Sequence, residues 1–192
     1  MRVQRSIEYN KSIICGGRHS MGYIYRDGNN ISDNIGLLIS ILVRYPEIGS
    51  INLDSHNKKI KFTFIVAELL DNHYIQDFFL RLEECIGAFL HIKGNDIHHF
   101  EYDSWDHNGL ISLEIRRDVE TISQDEIALV VGLVNEVFGG MLIIDGSDHL
   151  IEEDVDYQEQ LIGDILEKIP NTVNFKNLYA YRDEGKVMVF NK

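Results

Sequence analysis

No apolar run in this chain of 192 residues approaches the roughly 20 residues that a membrane helix needs. The opening MRVQRSIEYNKS lacks the apolar core of a signal peptide, so a cytoplasmic location and no membrane partner are expected. Cysteine is nearly absent: Cys15 and Cys85, with no CxxC, exclude a disulfide framework, a zinc ribbon and a thioredoxin-type pair. Cys85 falls in a stretch of helical periodicity, where a small buried hydrophobe fits. Cations are scarce too. With 18 Lys and Arg against 31 Asp and Glu, the net charge of -13 disfavours nonspecific attraction to nucleic acid or anionic membrane.

Catalytic signatures are missing as well. The chain contains no GxSxG, HExxH, Walker lysine loop or zinc-deaminase pattern. No cofactor is implied, and the expectation leans away from an enzyme.

The scarce cations are unevenly placed. Arg2, Arg5, Lys11, Arg18 and Arg26 accompany a single acid, Glu8, in the first 26 residues, whereas no Lys or Arg lies between Asp118 and Glu167. This is a basic arm on an acidic body. The arm either packs on an acidic surface of its own or a neighbouring chain, or it binds an anion.

The apolar content of 44% supports an ordinary core, and its clearest pattern runs from Tyr74 to Val119. Ile75, Phe78, Phe79, Leu82, Ile86, Phe89 and Leu90 recur at helical spacing, with Asp71 or Asn72 as N-cap and Gly94 past the end. IHHFEYDSW and LISLEIRR follow, separated by Asp106, His107, Asn108 and Gly109. Asn-Gly supplies the two positive φ angles of a two-residue type I′ turn. The register then follows: His107 opposite Leu110, Trp105 opposite Ser112, Asp103 opposite Glu114, Glu101 opposite Arg116 and His99 opposite Asp118. Phe100, Tyr102, Ile111, Leu113 and Ile115 fall on the other face, a sorting that a one-residue slip would destroy.

Earlier in the chain, short β-type runs at Ser12 to Cys15 and Gly22 to Tyr25 are broken by glycines. Ser32 or Asp33 caps a helix carrying Ile35, Leu38, Ile39 and Leu42, which stops before Pro46. Ile51 and Leu53, then Ile60, Phe62, Phe64 and Val66, alternate as strands around Ser55 to Lys58. The resulting order of strand, helix, strand, strand, helix, strand resembles the ferredoxin-like plait.

The second half admits the same reading: strand Leu110 to Arg116, helix Gln124 to Phe138, strand Met141 to Asp145, a short strand near Leu150, helix Asp154 to Ile169, and closing strands. In the helix from Gln124, Ser123 and Glu126 form a capping box, and Gly139 and Gly140 stand where a left-handed C-cap is wanted. Ile127, Leu129, Val130, Val131, Leu133, Val134, Val137 and Phe138 cover most of its circumference, so it is expected to be the most buried helix. ILVRYPEIGSINLDSHNKKIKFTF and ILEKIPNTVNFKNLYAYRDEGKVMVF share the pattern of helix end, proline, strand, polar turn, strand.

The expected fold is therefore α+β: two ferredoxin-like (βαββαβ) units with mainly antiparallel sheets and helices on one side. The expected division is a basic arm and first strand at 1–30, a first unit at 31–107 completed by that strand, and a second at 108–192 packed closely on it.

Three groups of residues invite chemistry. His99, Glu101 and Asp103 share a strand face with Glu114 and Asp118, and such oxygen and imidazole ligands suit a divalent ion; the opposed Arg116 and the His99–Asp118 pair are equally those of a solvated sheet face. In CGGRHSMG, the Gly16-Gly17 backbone with Arg18, His19 and Ser20 offers donors to a phosphate or carboxylate, or forms a structural turn. Cys15 and His19 also read as nucleophile and base, but nothing orients the histidine. Asp145, Asp148, His149 and Glu152 lack the spacing of an EF-hand, and Glu152, Glu153, Asp154 and Asp156 suit the positive end of a helix dipole. The turn from Tyr181 to Lys186 reads as a hairpin.

The functional expectation is a non-enzymatic interaction or regulatory protein that forms homo-oligomers through a sheet face or edge. The alternative is a small-anion or nucleotide-binding protein using the Gly16-Gly17-Arg18-His19 loop. The net negative charge argues against nucleic acid as a partner.

Overall fold

The computed structural model describes residues 7–8, 33–68, 70–94, 100–145, 152–168, 177–183 and 186–191. The expected runs at Ser12 to Cys15, Gly22 to Tyr25 and near Leu150 lie outside them. The described elements are β1 (Ile7–Glu8), α1 (Asp33–Arg44), β2 (Ser50–Asp54), β3 (Lys59–Val66), α2 (Asn72–Ile92), β4 (Glu101–Asp106), β5 (Ile111–Asp118), α3 (Gln124–Phe138), α4 (Glu152–Lys168), β6 (Leu178–Asp183) and β7 (Lys186–Asn191). No described helix is long and apolar enough to cross a membrane.

Local signals set these elements as expected. Asp71 caps α2 by accepting from the His73 N–H, and Gly94 beyond its end has φ 74. Asn108 and Gly109 have φ 56 and 91, and His107 and Leu110 exchange both backbone hydrogen bonds. From that turn the β4–β5 ladder runs back in the expected register through Trp105–Ser112, Asp103–Glu114 and Glu101–Arg116. In β2 and β3 every second residue is buried, as a half-buried strand requires.

The α+β class holds, but the strand order is not that of two ferredoxin-like units. The strands form a seven-stranded sheet in the order β1-β7-β6-β2-β3-β5-β4, with every pairing antiparallel. A ferredoxin-like first half would hold β1 inside the sheet among its own strands. Instead β1 pairs with β7, and strands from either side of residue 108 alternate as neighbours, β6 beside β2 and β5 beside β3. The recurring unit is a helix followed by a hairpin: α1 with β2–β3, α2 with β4–β5, and α4 with β6–β7. The two similar segments noted in the sequence belong to the first and last of these units, which meet through β2 and β6 and through α1 and α4.

One sheet face bears the helices. Register places Val189, Ala180, Ile51, Phe62 and Ile115 in one cross-strand row, all buried. Against this face α1 packs on β2, β6 and β7, while Phe79 of α2 stacks on Tyr102 of β4 at 4.3 Å. The most buried helix is α1 rather than α3. Asn34 through Leu42 are all buried because α1 is sandwiched between the sheet and α4, whereas Leu129, Leu133 and Val137 of α3 are only partly covered.

The end of α3 also departs from expectation. Gly139 is right-handed (φ -50, ψ -44) and leads into a single 3-10 turn at Gly139–Met141. A Cβ there would stand 2.6 Å from Oδ1 of Asn135, the end of an exposed side chain that would turn aside. The stretch expected as a strand from Met141 supplies only a bridge from Leu142 to Val66. Its backbone bonds to Ile65 and Ala67 continue β3's pairing beyond the point where the shorter β2 ends.

Candidate functional site: the open face of the sheet

The anion-binding candidates Gly16, Gly17, Arg18, His19 and Ser20, with Cys15, lie outside the described residues, as do His99, Asp148 and His149. Glu152 opens α4. The remaining metal candidates, Glu101, Asp103, Glu114 and Asp118, lie together on the sheet face opposite the helices. Each is engaged in a way that reads as sheet chemistry. Glu114 receives Lys61 at 2.5 Å and also Arg116, Glu101 receives Lys59, and Asp118 stands opposite Lys59 in the ladder. Asp103, directly across from the like-charged Glu114, instead accepts the neighbouring Ser104 N–H at 2.9 Å. Among the described residues no group of three or more His, Cys, Asp and Glu is placed to hold a metal ion.

No described helix packs on this second face, and its composition changes along the sheet. A single row runs Phe190, Tyr179, Asn52, Lys61, Arg116, Glu101 from β7 to β4; the next runs Met188, Tyr181, Ser50, Thr63, Glu114, Asp103. The β6–β7 end is therefore aromatic and apolar. Tyr181 and Phe190 stack nearly parallel with centroids 5.8 Å apart, and Tyr179 lies 5.8 Å from Tyr181. These side chains are partly exposed, where an ordinary solvated sheet face would carry polar residues.

The β2–β5 part is ionic. Lys59 reaches over β5 to Glu101 on β4, so that the charged heads lie along the sheet; the side chains of Lys59, Lys61 and Arg116 are only 25%, 26% and 29% exposed. Between them and the β2–β3 turn is a depression of about 320 Å³ lined by Asn52, Asp54, Asn57, Lys59, Lys61, Glu101 and Arg116. Asp54 shapes its rim by accepting from the Asn57 side chain at 2.8 Å and from the backbone N–H groups of His56 and Asn57. These hydrogen bonds, the Asn57 side chain first, hold its carboxyl below the ordinary aspartate range.

Two features escaped the reading of the sequence. The aromatic end was legible only as strand alternation in LYAYRD and KVMVFN, which does not say that no described helix covers the outward residues. Arg117, with the alternation of β5, points into the core and pairs with Glu126, one N–H reaching Oε2 at 3.2 Å. The Ser123 cap is made as expected, its side chain accepting from the Glu126 N–H. Glu126, expected to complete the capping box, directs its carboxylate to Arg117.

Comparison of the chain with family models, with curated proteins and with solved structures gives no match.

Proposed function

We propose that this is a non-enzymatic interaction protein that self-associates through the open face of its sheet, with the β6–β7 end at the centre of the contact. The observation that carries the reading is the cluster of Tyr179, Tyr181, Met188 and Phe190 on a face that no described helix covers. Aromatic side chains each bring roughly 150 to 250 Å² of buriable surface and concentrate at interfaces. With its seven strands at roughly 4.8 Å spacing, the face is about 29 Å wide, a scale suited to the roughly 800 Å² per partner of a standard interface.

Charge favours the face over the edge. The β4 strand carries Glu101, Asp103 and Asp106 and no Lys or Arg of its own, so pairing two such edges would bring acidic strands together, with only the Lys59 of β3 reaching Glu101. The face alternates sign, so a second copy meets compensating partners.

Native mass spectrometry with analytical ultracentrifugation tests the reading. A dimer or higher oligomer that dissociates in Tyr181→Glu and Phe190→Glu, but not in a control at Asp77 on α2, is the expected result. A monomer at all accessible concentrations overturns it.

A further inference from the structure

We propose that the depression between β2, β3, β5 and β4 is a binding site for a small zwitterion, with free α-amino acids as the ligand class. The site shares the open face with the proposed self-association but lies on its ionic part, away from the β6–β7 end at the centre of that contact, and ligand binding is read separately from oligomeric state.

Charge selects the class. The lining supplies three cations, Lys59, Lys61 and Arg116, and two carboxylates, Asp54 and Glu101, with Glu114 behind them engaged by Lys61 and Arg116. A simple anion entering here must compete with Glu101 and Glu114 for cations already paired, and the displaced carboxylate is left without a partner. A simple cation meets the reverse difficulty. A zwitterion exchanges partners at both ends. Its carboxylate is received by Lys59, with the Arg116 guanidinium and the Asn52 amide beside it, and its ammonium by Glu101, so the Lys59–Glu101 pair opens without stranding either charge.

Geometry agrees with a compact ligand. The volume of about 320 Å³ is at the low end of ligand pockets, which run from about 300 to 1,000 Å³. One wall is preset. The Asn57 amide is held by Asp54, which leaves the Asn57 carbonyl oxygen as an acceptor beside the pocket. The cation heads are likewise laid down along the sheet by Glu101 and Glu114, so little side-chain ordering remains for binding to supply.

The test is a titration of the full chain, labelled with 15N and followed by NMR, with each common L-α-amino acid. The N-acetyl acid and the amide of each, lacking one of the two charges, are run in parallel. At least one amino acid is expected to shift the Asn52, Asn57, Lys61 and Arg116 signals with a dissociation constant on the order of 1 mM or tighter, and its one-charge derivatives to bind at least about tenfold more weakly. Arg116→Gln removes one receiving group, and Asn52→Ala, which breaks no ion pair, serves as the second variant; both are expected to weaken binding. No shift with any amino acid overturns the proposal. So does equal binding of a one-charge derivative, or binding unchanged in both variants.

Discussion

Arg117 and Glu126 form an ion pair sealed inside the protein, with side chains 1% and 0% exposed, joining the end of β5 to the first turn of α3. The pair is bidentate, and it stands at the point where the sheet hands over to the helix layer. Burial makes each charge dependent on the other, because neither can be solvated alone.

Arg117→Met and Glu126→Gln are therefore each expected to destabilise the fold by about 3 to 5 kcal/mol. The double replacement Arg117→Met with Glu126→Leu is expected to recover most of that loss, since no charge is then stranded. Urea unfolding of the three variants measures this, and losses that simply add would refute the coupling.

The turn at Asn108 and Gly109 predicts a smaller, local penalty. Gly109→Ala places a side chain at φ 91, outside the comfortable range of an L-residue although space is open around it. A loss of about 1 to 2 kcal/mol is expected from backbone strain alone. Thermal unfolding reports it, with the β4–β5 register preserved by NMR.

Tyr45 links stability to alkaline pH. It is 4% exposed and accepts a hydrogen bond from Gln124 at 3.0 Å, and burial raises its phenol above the ordinary 10.0. A raised folded pKa means that the folded state holds the proton more tightly than the unfolded one. Its contribution is complete below pH 10.0 and is lost as pH rises through the folded value. Unfolding free energy measured across this range should fall more steeply in the wild type than in Tyr45→Phe. Parallel slopes would exclude Tyr45 as the titrating group.

Arg182 makes the opposite kind of prediction. Among the described residues its buried Nε and Nη2 have no hydrogen-bond partner, and desolvation lowers its pKa despite the nearby Asp145 and Glu47. Removing such a group relieves a cost, so Arg182→Met is expected to be neutral or to stabilise by about 1 kcal/mol. Denaturant midpoints decide it; a loss comparable to that of Arg117→Met would show a partner for Arg182.

The sequence by itself determined what depends on neighbours within a few residues. The Asp71 cap, the turn at Asn108 and Gly109, and the alternation in β2, β3 and β5 are written in φ preferences and in periods of 3.6 and 2, which short peptides already carry. From the turn alone, the pairing of Glu101 with Arg116 followed by counting. Tertiary structure decided what those periods leave open. Both edges of a strand look the same in sequence, so nothing in IKFTFIV specified β5 as a neighbour, or in LYAYRD the pairing with β2 that departs from the ferredoxin-like order. The burial of α1 over α3, and the face without a described helix that places Tyr179 and Phe190 in one cross-strand row with Lys61 and Arg116, were fixed in the same way. Burial and cross-strand neighbours are properties of the packed sheet, set by contacts between residues far apart in the chain.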